Sequence, residues 1–118
     1  MTQPAYPLDE TRRQIIMQSL RAVCRHRGYE LRAAHVRTNH VHVACEAMGR
    51  PEAVMNAMKS YGSRALNERA LDDPNRRRWA RHGSTRWLWT RDALWAAIQY
   101  VVRGQGEPME VYEQPAAY

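Results

Sequence analysis

Asn39-His40-Val41-His42-Val43 is the stretch on which the fold turns. Apolar and polar residues alternate through it and on into Ala44-Cys45-Glu46. Side chains of a β-strand point alternately to opposite faces. His40, His42, Ala44 and Glu46 therefore share one face, and Val41, Val43 and Cys45 share the other. Such a strand buries one face in a core and displays two imidazoles side by side on the opposite one. Two neutral imidazoles on a rigid element make half a site for a divalent metal. The plainer reading is a surface strand that happens to carry two histidines.

The neighbouring segments supply a partner strand and three helices. Residues 29–38 read as a second strand, in which Leu31, Ala33 and His35 alternate with Arg32, Ala34 and Val36. Asn39 suits the tight turn of an antiparallel hairpin between the two strands. Upstream, Ile16, Leu20 and Val23 follow helical spacing after Asp9, a good N-cap, and before Gly28, a natural stop. A first helix over 10–27 results. Downstream, Pro51 opens a second helix over 51–69, whose stripe of Val54, Met58, Tyr61 and Ala65 reads as core. Thr90 caps a third helix ending near Arg103, with Leu94, Ile98 and Val101 as its buried stripe, supported by Trp95 and Val102.

Two stretches between the second and third helices carry further signals. Arg76-Arg77-Arg78-Trp79 is basic with an interleaved aromatic, a layout that holds single-stranded nucleic acid through phosphate contacts and stacking. Equally, it is a solvated loop whose Trp79 tucks under the core. Residues 82–89 read as a strand, with Thr85, Trp87 and Trp89 on one face and Arg86 and Leu88 on the other. Beyond Pro108 there is no strong period. The chain thus divides into a loose arm (1–8), one folded domain (9–107) and a tail (108–118).

Composition narrows the partners. With 118 residues and 44% hydrophobic side chains, the chain holds one modest core. Its 18 Lys+Arg against 12 Asp+Glu give a net charge of +6, which favours polyanions and nucleic acid first. Lys59 is the only lysine, and arginine suits bidentate phosphate contact and stacking on bases. Cys24 and Cys45 have no metal or redox spacing. No apolar run reaches the ~20 residues that span a membrane. The first eight residues lack a signal-peptide layout, so a cytosolic setting is expected.

Tyr100 lies well off the stripe of the last helix, among Ala96, Ala97, Arg103 and Gly104, where it is open for chemistry or contact. Gln105 follows at a Gly-Gln-Gly turn, where its amide oxygen is a candidate neutral ligand beside two imidazoles. Two histidines and a glutamine form a set hard enough for Mg²⁺ or Mn²⁺ once phosphate and water complete the shell.

Taken together, His40-Val41-His42, the helix bearing Lys59-Ser60-Tyr61-Gly62-Ser63-Arg64, and Tyr100-Val101-Val102-Arg103-Gly104-Gln105 resemble the single-tyrosine HUH transposases of the IS200-like type. Trp79 to Trp89 looks like the strand before the tyrosine helix in a branch of that family. The resemblance covers roughly residues 10–107. It implies an α+β, ferredoxin-like antiparallel sheet with helices packed on one face. It implies His40, His42 and Gln105 as ligands of a divalent metal that polarises a scissile phosphate in single-stranded DNA. Tyr100 would attack that phosphate to give a 5′-phosphotyrosine and a free 3′-OH, and reversal would rejoin strands. It also implies hairpin DNA ends, a homodimer in which one subunit's tyrosine helix often completes the other's site, and a nucleoid-associated location. Lys59, Arg64, Arg76, Arg77, Arg78 and Arg81 are the candidate DNA contacts.

Two departures stand out. Many relatives place the glutamine four residues after the tyrosine, and here the separation is five. The family opens with a strand before the first helix, whereas residues 1–8 are short and Pro-containing, so that strand is replaced or missing. A non-catalytic or domesticated single-stranded nucleic-acid-binding relative is the alternative function, and a housekeeping relative acting on short palindromes shares the chemistry of the first.

Overall fold

A computed structural model describes residues 6–79, 85 and 87–115. Helix α1 spans Glu10–Arg27, and the Asp9 carboxylate accepts from the Arg12 N–H as its N-cap. Gly28 ends it in the left-handed region (φ 73°), a conformation that costs glycine nothing. Strands β1 (Glu30–Val36) and β2 (Val41–Glu46) form the expected hairpin, closed where the Arg37 N–H donates to the His40 carbonyl at 2.8 Å. Helix α2 spans Pro51–Glu68 and α3 spans Arg91–Arg103, where the Thr90 hydroxyl accepts from the Ala93 N–H. A last strand, β3 (Glu110–Glu113), completes an antiparallel sheet of order β2-β1-β3.

The protein is therefore α+β with an antiparallel sheet. Three details differ from the sequence reading. First, the third strand is β3, drawn from the stretch without period, because four residues are too few to show one. In the 82–89 stretch, Thr85 and residues 87–89 carry no strand, and the remainder lies outside the described residues. Second, a bulge between Leu31 and Ala33 breaks the simple alternation of β1. It turns Leu31 to the face of Ala34 and Val36. Third, the helices do not share one face. Leu31, Ala34 and Val36 join the main core with α1's Ile16, Leu20 and Val23 and α2's Leu66. Ala33 and Ala44 on the opposite face pack with Val101 of α3, flanked by Ile98 and Val102. Two small residues at 33 and 44 let the helix approach the sheet closely. Among the described residues no strand precedes α1. Leu8 is buried and donates its N–H to the Thr38 carbonyl at 2.6 Å.

α2 packs against α1, and Gly62 sets how closely. A Cβ there would stand 3.0 Å from both Ile16 Cδ1 and the Trp79 ring. The Trp79 indole N–H donates to the Ser63 hydroxyl at 2.8 Å. Of the two readings of Trp79, the structure takes the one that tucks it under the core. Arg78 is likewise internal. Its side chain is 2% exposed, donates to the Asn67 side chain at 2.8 Å and pairs with Asp72 at 3.6 Å. It is therefore removed from the candidate DNA contacts. Burial pushes the Asp72 carboxyl up, but hydrogen bonds from Arg12 and Tyr6 outweigh this and hold it below the ordinary carboxylate range. This group ties the loop after α2 to α1 and to the segment before it.

Candidate phosphate-chemistry site

The site forms where α3 lies over the sheet face carrying His42. In β2, His42 and Ala44 face α3, while Val41, Val43 and Cys45 pack against the main core, as the alternation requires. His40 stands just before β2, and its ring is nearly parallel to that of His42, 15° apart with centroids 6.0 Å apart. The Asn39 side-chain oxygen lies 2.9 Å from His40 Nδ1. An amide oxygen only accepts, so Nδ1 is the donor in that bond and Nε2 stands outside it. Burial lowers the His42 pKa below the ordinary histidine value, reinforced by His40, His35 and Arg37. His42 is thus biased toward its neutral form, with the His40 imidazole stacked beside it.

Tyr100 comes to the same place from α3. Its ring meets His42 edge-on, with centroids 6.5 Å apart, and 60% of the residue is exposed. The tyrosine therefore stands beside the histidines of its own chain. The α3 stripe proves shorter than its spacing suggests. Val101 alone is buried, and Trp95 is 65% exposed rather than part of the stripe. Only the C-terminal turns of α3 rest on the sheet.

Gln105 is not brought to the histidines in the same way. Its amide nitrogen donates to the Tyr100 carbonyl at 3.3 Å, across the end of α3. Gly104 is what lets the Tyr100 ring lie where it does. A Cβ there would stand 2.8 Å from Tyr100 Cδ2 and 2.9 Å from its carbonyl oxygen. Gly104→Ala is expected to displace the ring and slow any reaction at Tyr100 by roughly 10- to 100-fold, the scale of a misplaced reacting group. The check is single-turnover kinetics beside an unchanged DNA affinity.

Of the remaining candidates, Lys59 and Arg64 belong to α2, whose backbone lies beside α1 and not beside α3. They are not part of the cluster around His42. Arg64 lies over the Tyr61 ring at 5.3 Å, and Arg76 over the Tyr6 ring at 5.1 Å. Arg77 is exposed, and Arg81 lies outside the described residues. Among the described residues no three His, Cys, Asp or Glu side chains gather into a metal-binding group. Cys24 and Cys45 are free thiols, and burial pushes Cys24 up to about 12.

One residue near the site escaped the sequence reading. His35, wholly buried, faces His42 across the ladder. Its Nδ1 lies 3.1 Å from the Val101 carbonyl, and its Nε2 accepts from the Met109 N–H at 3.0 Å. It clamps the end of α3 and the approach to β3 onto β1. Its only sequence signal was a histidine in line with Leu31 and Ala33.

Fold and site define a small α+β domain that gathers two imidazoles and a phenol on one face of an antiparallel sheet. The family described as Transposase IS200 like matches residues 7–98, most of the chain, and the chain belongs to that family. The match stops just short of Tyr100 and Gln105. No curated protein and no solved structure matches the chain. Transposase function and DNA binding follow from the family in general terms. Among the described residues, no helix is long and apolar enough to cross a membrane.

Proposed function

We propose that the protein cuts and rejoins single-stranded DNA, with Tyr100 as nucleophile and His40 and His42 as ligands of a divalent ion, Mg²⁺ or Mn²⁺. The observation that carries this is the convergence of two parallel imidazoles and an exposed phenol on one sheet face, with His42 and Tyr100 centroids 6.5 Å apart. In the cutting step, the Tyr100 oxygen attacks the scissile phosphorus, and its proton passes to the solvent that bathes the exposed ring. The P–O3′ bond breaks, the 3′ oxygen takes up a proton, and the 5′ phosphate stays on the tyrosine. Attack by another 3′-OH reverses the step and rejoins strands without an energy source. The residues fit a cation: burial favours the neutral form of His42, and the His40 imidazole stands beside it with Nε2 outside its bond to Asn39. Such an ion would stabilise the charge developing on the phosphate oxygens. In this reading the Gln105 amide oxygen is the third ligand, while its amide nitrogen donates to the Tyr100 carbonyl. Hairpin DNA ends and a homodimer belong to the same proposal.

The limited ligand set favours one alternative, a relative that binds DNA without cutting it. The two are separated by incubating the protein with labelled, hairpin-bearing single-stranded DNA and Mg²⁺ or Mn²⁺. A covalent adduct that requires the ion, and that His40→Ala loses while still binding DNA, supports cutting. Tight binding with no adduct in either metal favours the alternative.

A further inference from the structure

We propose that Trp87 and Trp89 form a stacking platform for unpaired DNA bases at the N-terminal end of the Tyr100 helix. The inference rests on the single-stranded substrate proposed above. Trp87 is 50% exposed and Trp89 81% exposed. Their rings lie nearly parallel, 19° apart with centroids 5.4 Å apart. The half-buried Leu88 lies between them in the chain. Two large apolar rings held face to face and open to water are costly to leave bare, and contiguous exposed apolar surface marks a binding site.

The rings match the flat π-face that every base presents, and single-strand binding proteins use exposed aromatics in this way. The segment is anchored at both ends. The Thr85 hydroxyl donates to the Glu52 carboxylate at 3.4 Å, and the Thr90 hydroxyl caps α3 directly after Trp89. Exposed Arg91 and Asp92 follow with opposite charges, and the rings themselves offer stacking rather than phosphate contact. The nine steps from Arg91 to Tyr100 advance about 14 Å along the helix. A few unpaired nucleotides span that distance, so a strand seated on the tryptophans leads toward the phenol. Trp79, the aromatic that the sequence set among arginines, is spent on the core and leaves this task open.

The test is fluorescence anisotropy with a labelled oligothymidylate and an abasic oligonucleotide of equal length, across a salt series. For Trp89→Ala, binding of the base-bearing strand should weaken about ten-fold or more, the usual cost of losing one stacking aromatic. The abasic strand should bind as to the unaltered protein, the salt slope should not change, and Trp89→Phe should restore most of the affinity. Unchanged affinity, or an equal loss on both strands, would overturn the platform. So would a concentration-dependent dimer that Trp89→Ala dissociates without weakening DNA binding, which would make the pair a contact between copies. Adduct formation by Trp89→Ala should need about ten-fold more DNA than by the unaltered protein. If no protein forms an adduct, the cutting reaction fails while the binding result still judges the platform.

Discussion

Tyr100→Phe is expected to abolish the covalent protein–DNA adduct, a loss of at least about a thousand-fold, the scale on which enzymes lose activity with their nucleophile. The substitution removes one hydroxyl and nothing else. The phenyl ring keeps the edge-on contact with His42, and the side chain is too exposed for its hydroxyl to support the fold. Stability should therefore stay within about 0.5 kcal/mol of the unaltered protein, as for most surface changes. DNA affinity should also hold, because the hydroxyl is asked to react and not to anchor. Denaturing electrophoresis of a labelled strand reads the adduct, and anisotropy reads the affinity. An adduct that survives in Tyr100→Phe would remove the phenol from the mechanism. Tyr61 would be a poor replacement: it belongs to α2, packs against His26 and lies under Arg64, away from the histidine pair.

The comparison of sequence with structure separates local from long-range information. Period-two alternation in 41–46 gave both faces of β2 correctly, since a strand bound by a core on one side has little freedom of register. The helices and their caps were readable for the same reason: Asp9, Gly28, Pro51 and Thr90 act through bonds only a few residues long. What escaped was decided at a distance. The bulge at Leu31 re-aims half of β1, and nothing in its alternation announces it. β3 takes its place from pairing with β1 and not from its own four residues. Arg78 looked like surface because it sits in a basic run, and the same run left Trp79 open between surface and core. Asp72, Asn67 and Ser63 supply the partners that bury them. For the candidate site, His40, His42 and Tyr100 were all legible. Their meeting required that α3 cross to the sheet face opposite α1, and no periodicity states which face a helix takes.

His35 carries the second large effect, because it joins the fold to the site. The ring fills a wholly buried position and satisfies two buried backbone groups, the Val101 carbonyl and the Met109 N–H. His35→Ala opens a cavity and leaves both groups unpaired, so a loss of about 3–5 kcal/mol is expected. That is a large share of the stability of a domain this size. Because Val101 follows Tyr100, the loosened turn should also cut adduct formation in whatever fraction remains folded. Burial lowers the His35 pKa below the ordinary histidine value, aided by the Arg37 charge and partly opposed by the Val101 carbonyl. The sign follows from which state holds the proton. Below about pH 6.5 the unfolded chain protonates His35 while the folded one still resists, so the unfolded state binds more protons. The contribution is complete above that pH and is lost as the pH falls toward the depressed folded value. His42 is shifted in the same direction and steepens the decline. Urea unfolding without divalent ions at several pH values between 7.5 and 5 should show stability falling with acid. His35→Gln, which has no such titration, should start less stable and fall less steeply. Equal slopes in the two proteins would mean that the buried imidazole is not what acid breaks.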